Sequence, residues 1–200
     1  YLDYPEEENP MLGLRGVRLL RRHPDLLRTQ LRAVLQLVDD YDLRLLVPLV
    51  TVVEDMEFVR RELQQVTAEC GLPAEPPVGA MIEVPAAAVG VAALAPHCDF
   101  LSVGTNDLVQ YTMAAGRENE EVLDYYREDH PVIWRLLASI CEHAGELDVE
   151  VCGDMAANTE LVEGLLDAGV AALSVPPLRI PLIKQEIRCN HHSRKNGSGA

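Results

Sequence analysis

The stretch SVGTNDLVQYTMAAGREN, residues 102–119, decides how this chain reads. The apolar run Phe100-Leu101-Ser102-Val103 stops at Gly104-Thr105-Asn106-Asp107, a helix-like segment follows, and Arg117 lies ten residues beyond Asp107. A hydroxyl, an amide and a carboxylate thus stand where a buried strand ends. In parallel α/β sheets, ligands bind outside the carboxyl ends of the strands. Asp107 at such a place suits Mg²⁺, which takes one or two carboxylates together with substrate oxygens. Arg117 suits recognition of a phosphate or carboxylate. Taken alone, Asp107 also fits a helix N-cap and Arg117 a solvated charge.

Two more strand ends bear on that choice. Residues 77–85, PVGAMIEVP, read as a buried strand ending on Glu83 just before a proline. A carboxylate at the end of an apolar strand is paired, hydrated or metal-bound, because burying it bare is costly. Residues 149–155, VEVCGDM, put Cys152 and then Asp154 at the end of a third strand. A lone cysteine there is more often a small core residue than a catalyst. Three polar strand ends in one chain are nonetheless hard to explain by packing alone.

Strand-like and helix-like segments alternate throughout. Residues 43–50, 78–84, 99–103, 149–152 and 171–175 are short and rich in Val, Leu and Ile. The stretches near 24–38, 54–70, 86–95, 131–146, 158–168 and 179–188 carry apolar residues at helical spacing. Residues 14–18, around Arg15, are read as a further short strand, and the cluster Arg15, Arg18, Arg21 and Arg22 as mostly a solvated helix face. Such alternation predicts a parallel sheet, either a barrel or an open doubly wound sheet.

Composition narrows the function classes. Two hundred residues suffice for one domain with a core. With 32 acidic and 17 basic residues the net charge is −15, which argues against nucleic-acid binding. An anionic substrate must therefore find a local basic patch in a negative molecule. No apolar run approaches a membrane span, and the first ten residues, YLDYPEEENP, are not a signal peptide. Five cysteines with no CxxC pair fit free thiols in a reducing cytoplasm.

The segments 8–19 (ENPMLGLRGVRL), 27–36, 43–56, 78–88 (VGAMIEVPAAA), 99–119 and 151–177 together resemble the phosphoenolpyruvate-binding barrel of enzyme I of the bacterial sugar phosphotransferase system. Pyruvate phosphate dikinase and phosphoenolpyruvate synthase share that domain with variations. QYT after TNDL, and the Cys-Gly-acid-Met-Ala pattern from Cys152, are closer to enzyme I. The resemblance implies a (β/α)₈ barrel of the phosphoenolpyruvate/pyruvate kind lacking its first two βα units. Residues 1–188 would form this partial barrel and 189–200 a disordered polar tail.

The resemblance further implies transfer of the phosphoryl group of phosphoenolpyruvate to a histidine on a separate phosphohistidine domain, then to an HPr-type carrier, with release of pyruvate. Glu83 and Asp107 would hold Mg²⁺. Arg15, Asn106, Asp107 and Arg117 would contact the substrate, and Cys152 would protonate the enolpyruvate methylene carbon. A homodimer is expected. One departure touches the site: Gly116 precedes Arg117 where the family commonly has an acid. The alternatives are a non-catalytic remnant of the same fold and a fragment of a dikinase or synthase.

Overall fold

The computed structural model describes residue 4 and residues 6–197, with backbone alone from 191 onward. In chain order the regular elements are α1 (Gly16–Arg22), α2 (Pro24–Leu35), β1 (Leu45–Val47), α3 (Val53–Glu69), β2 (Val78–Ile82), α4 (Pro85–Val89), α5 (Val91–Leu94), β3 (Phe100–Gly104), α6 (Thr105–Met113), α7 (Pro131–His143), β4 (Val149–Cys152), α8 (Asp154–Ala157), α9 (Val162–Asp167), β5 (Ala172–Leu173) and α10 (Ile180–Gly197). All strand pairs are parallel, in the spatial order β1-β2-β3-β4-β5. Each crossover therefore moves the chain one strand in the same direction. A doubly wound sheet reverses that direction part-way; this one does not.

Local chemistry explains where the helices begin and end. Pro24, Pro85 and Pro131 open α2, α4 and α7, where a missing N–H costs nothing. His130 completes the start of α7 by accepting the Val132 N–H on Nδ1 at 3.3 Å. Asp55, in the first turn of α3, accepts the Thr51 and Val52 N–H groups at 2.9 and 3.1 Å. Gly169 follows α9 with φ of 96°, a turn out of the helix that favours glycine.

The strands alternate between two faces. Val78, Ala80 and Ile82, with Leu101, Val103, Val149 and Val151, are buried in the main core with α3, α6 and α7. On the other face, register aligns Met81, Ser102 and Glu150 in one row and Gly104 with Cys152 in the next. One step beyond Ile82, Glu83 falls beside Gly104. The polar strand ends thus meet at one rim of the sheet.

Two expectations are corrected. Residues 14–18 are not a strand: Arg15 is the extended N-cap of α1, and its helix docks through the Val17 N–H to the Pro48 carbonyl at 3.1 Å. The arginine cluster there is a solvated face only in part: Arg21 and Arg22 are exposed, but three of the four make specific contacts. Arg18 donates to the carbonyl of Leu12 and the hydroxyl of Thr51, Arg21 pairs with Asp55 at 2.7 Å, and Arg15 reaches Asp107. At the other end, the helical backbone of α10 runs from Ile180 through Gly197. No proline or glycine interrupts Cys189–Asn196, so nothing in that stretch breaks the helix. The side chains of His191 and His192, and residues 198–200, lie outside the described residues.

Candidate functional site

Glu83 and Asp107 are each 7 % exposed. Glu83 is fixed from two sides. Its Oε1 accepts the Leu49 N–H at 2.7 Å, and Leu49 adopts a left-handed backbone with φ of 58°. That conformation costs a non-glycine residue about 1–2 kcal/mol, so strain is held where the backbone grips the carboxylate. On the β3 side, a Cβ at Gly104 would lie 2.7 Å from Glu83 Oε2 and 2.9 Å from its Cβ. Glycine is therefore what lets Glu83 lie across β3. Burial pushes the Glu83 carboxyl up, nearby Asp107 adds to the rise, and Leu49 and Arg15 oppose it.

Asp107 sits in the first turn of α6, and its Oδ2 is 3.1 Å from Arg15 Nη2. Arg15 comes from far away in sequence and is delivered by the docking of α1. Gly16, with φ of 54°, packs so closely on Leu49 that a Cβ would meet Leu49 Cβ at 2.7 Å. Arg15 Nη1 also donates to the Tyr111 hydroxyl at 3.2 Å, and that hydroxyl donates to the Met11 carbonyl. Glu83, Asp107, Arg15 and Tyr111 thus form one electrostatic group, since all three others shift the Tyr111 phenol, which burial raises.

Asn106 and Cys152 belong to a second, adjoining cluster. Thr105 Oγ1 donates to the Cys152 carbonyl at 2.8 Å, the Asp154 N–H to Asn106 Oδ1 at 2.8 Å, and Asn106 Nδ2 to Asp154 Oδ2 at 3.2 Å. The Tyr126 hydroxyl donates to the Asn106 carbonyl at 3.3 Å, and burial pushes that phenol up to about 12. The Cys152 sulfur receives the Ser102 hydroxyl at 3.8 Å, and its S–H donates to the Val103 carbonyl at 3.5 Å. Burial is the main cause that raises the thiol, with Glu83 and Glu150 adding to it and Ser102 opposing. The group is therefore a thiol, a proton donor, at neutral pH. A depression of about 400 Å³ lined by Cys152, Asp154, Ala157, Ser174 and Pro176 opens beside it.

The structure brings Arg15, Glu83 and Asp107 together and sets Asn106 and Cys152 beside them. It does not bring Arg117 into contact. Arg117 is exposed, its own N–H donates to Gln110 Oε1 at 3.2 Å, and its charge reaches Tyr126. Sequence reading missed Leu49, Tyr111 and Tyr126 as partners of the site, and placed Asp154 beside Cys152 without giving it a partner. Gly16 and Gly153, next to the candidate residues Arg15 and Cys152, were the available signals for close backbone approach. A larger apolar groove of about 610 Å³, lined by Leu27, Leu31, Val34, Leu45 and Val47, contains no charged residue. It suits packing along β1 rather than an anionic substrate.

The chain matches the PEP-binding domain of PEP-utilising enzymes over residues 1–192. It belongs to that family. A multiphosphoryl transfer protein of Xanthomonas campestris is 42 % identical over 191 residues, 94 % of this chain and 23 % of the relative. A phosphoenolpyruvate-protein phosphotransferase of Haloferax volcanii is 40 % identical over 197 residues, 94 % of this chain and 35 % of the relative. A phosphoenolpyruvate synthase of Pyrococcus furiosus is 36 % identical over 193 residues. The chain spans only about a quarter to a third of these relatives. Among solved structures, a citrate lyase from Burkholderia xenovorans aligns with a TM-score of 0.63 at 20 % identity, covering 80 % of this chain and 53 % of that one, a likeness of fold.

Proposed function

We propose that this domain binds phosphoenolpyruvate with Mg²⁺ within a phosphotransferase that passes the phosphoryl group to a protein histidine and releases pyruvate. The observation that carries the reading is the convergence of two buried carboxylates, Glu83 and Asp107, with Arg15 on the rim that also holds the Cys152 thiol. The donors fit a hard cation. Both are carboxylates, both are almost fully buried, and Gly104 leaves the space in which the Glu83 carboxylate lies. Bound between Glu83 and Asp107, Mg²⁺ would offset negative charge on phosphate and enolate oxygens.

The remaining roles fall to the chain's own side chains. Arg15 and Arg117 supply fixed positive charge to the transferring group. Asn106 hydrogen-bonds the phosphate. Cys152, held protonated by its surroundings, donates its proton to the methylene carbon of enolpyruvate, leaving a thiolate that water reprotonates. The phosphohistidine domain, an HPr-type carrier and a second copy of the protein are the partners this reading requires. No helix among the described residues is long and apolar enough to cross a membrane.

For the fold, we infer a (β/α)₈ barrel of which this chain supplies five strands. Support comes from the strictly sequential strand order. Among the described residues, β1 and β5 each pair on one side only, leaving edges for further strands.

The test is direct. The whole protein incubated with phosphate-labelled phosphoenolpyruvate and Mg²⁺ should acquire an acid-labile phosphohistidine and release pyruvate, and Glu83→Gln should abolish both. Absence of label in folded wild-type protein would refute the reading. The Pyrococcus synthase relative favours a second one, in which the same site serves an ATP-dependent synthase. Label appearing from ATP and pyruvate, in the presence of Mg²⁺, would select it.

A further inference from the structure

We propose that Asp154 is a positioning residue for Asn106, locking its amide in one orientation and tying it rigidly to the segment that carries Cys152. The proposal rests on the reading above in one respect, that Asn106 contacts the phosphoryl group.

The grip is two-sided. Asp154 presents a backbone donor and a carboxylate acceptor to the same amide, and Asn106 answers with Oδ1 at 2.8 Å and Nδ2 at 3.2 Å. Only one orientation satisfies both. A flipped amide would set its NH₂ against the Asp154 N–H and its oxygen against the carboxylate. An ungripped asparagine has a broad, roughly two-fold side-chain torsion. The grip uses the oxygen and one of the two N–H donors, so the second N–H remains, with its direction fixed by the amide plane.

Gly153 permits the approach. Its φ is 97°, and a Cβ there would lie 2.5 Å from both Asn106 Oδ1 and Thr105 Oγ1. Together with the Thr105 bond to the Cys152 carbonyl, this laces the end of β3 to the end of β4 through three hydrogen bonds. The amide and the thiol therefore move as one unit.

Charge sharpens the inference. Asp154 is exposed, and it already raises the Glu128 carboxyl and the Tyr126 phenol. An acid this close to the place of an anionic substrate opposes binding by direct repulsion. Holding the amide ready offsets that repulsion, because a pre-oriented donor has less freedom to lose when the ligand arrives.

The experiment is calorimetric titration of phosphoenolpyruvate with Mg²⁺ into the whole protein and four variants: Asp154→Ala, Asp154→Asn, Asn106→Ala and the double alanine. Asp154→Ala should weaken binding about tenfold, the scale of one lost hydrogen bond to a charged group. Asp154→Asn, whose carbonyl still accepts, should recover most of that loss. In the Asn106→Ala background, Asp154→Ala should cause no further weakening. Asparagine-selective ¹⁵N spectra of the ligand-free protein should show slowed exchange of the Asn106 side-chain protons, lost in Asp154→Ala. Unchanged or tighter binding in Asp154→Ala overturns the proposal, as does an equal loss in the Asn106→Ala background. If wild-type protein fails to bind phosphoenolpyruvate, the function reading falls, while the exchange measurement still decides whether Asp154 holds the amide.

Discussion

Arg15 Nη2 stands 3.1 Å from Asp107 Oδ2, so a guanidinium neutralises one of the two carboxylates assigned to the cation. Asp107 is almost fully buried, and a buried charge needs a partner. Arg15 provides it without closing the site, since about a third of its own side chain remains exposed to solvent.

Competition between Arg15 and the metal follows. Arg15→Ala should let Mn²⁺, as a stand-in for Mg²⁺ detected by electron paramagnetic resonance, bind several-fold more tightly in the absence of substrate. The same variant should bind phosphoenolpyruvate at least about tenfold more weakly, having lost a charged contact. Unchanged Mn²⁺ affinity would mean that Arg15 and the ion do not share Asp107.

Glu83 gives a pH dependence of stability. Its folded-state carboxyl is raised, chiefly by burial. The folded protein thus binds the proton more tightly than the unfolded chain does, and this stabilisation is full below the ordinary carboxylate value of 4.5. It is lost as pH rises through the raised folded value. Metal-free melting temperature should therefore fall over that window, and Glu83→Gln should remove this part of the slope. Added Mg²⁺ should restore stability to wild type at neutral pH but not to the variant. An identical slope in both proteins would contradict the assignment.

The strands were legible because buried parallel strands are short Val, Leu and Ile runs, and each of the five runs overlaps one. The site ends of β2, β3 and β4 were legible for the complementary reason: Glu83, Asp107 and Cys152 interrupt those runs with polar chemistry. Residues 14–18 were misread although Leu14 and Val17 stand three apart, a helical spacing, because the segment is short and the Val17 bond to the Pro48 carbonyl that anchors the helix start there is a tertiary contact. The same holds for Leu49 and Tyr111. One acts through a backbone N–H and the other through a phenol bridging Arg15 to Met11, and neither role leaves a local pattern. Likewise, no spacing rule announces that Asp154, just past the end of β4, grips Asn106.

Gly104 tests the packing that shapes the carboxylate pair. Gly104→Ala places a methyl within 2.7 Å of Glu83 Oε2 in a fully buried strand. Overpacking of this kind costs about 1–3 kcal/mol, read as a lowered denaturation midpoint. Glu83 must move, so Mn²⁺ affinity should drop as well. Normal metal affinity in a destabilised Gly104→Ala protein would separate Glu83 from the metal site.

Arg117 should behave in the opposite way. Its side chain is exposed, so Arg117→Ala should leave stability within about 0.5 kcal/mol. Phosphoryl transfer should nevertheless slow on the order of 10²- to 10³-fold, as when one charge-stabilising donor is removed. Arg117→Lys should remain poor, because an ammonium does not replace a planar fork. Wild-type kinetics in the lysine variant would count against a bidentate role.

Cys152 separates binding from chemistry. Phosphoryl transfer and protonation of enolpyruvate are distinct steps, and Arg15, Asn106 and the carboxylates survive its removal. Cys152→Ala should bind phosphoenolpyruvate and Mg²⁺ with near wild-type affinity, yet fail to exchange deuterium from solvent into the methyl group of pyruvate. Its surroundings also set the pH range. The thiol is raised above its ordinary value of 9.0, mainly by burial, so it remains a proton donor throughout the neutral range. Exchange in the wild type should fall only at alkaline pH, above that ordinary value. Ser102→Ala removes the one hydroxyl bond that favours the thiolate, and should move this falling limb further upward. A packed core thiol behaves otherwise: the alanine variant loses stability and keeps its exchange activity. Normal deuterium incorporation by Cys152→Ala would remove the residue from the mechanism.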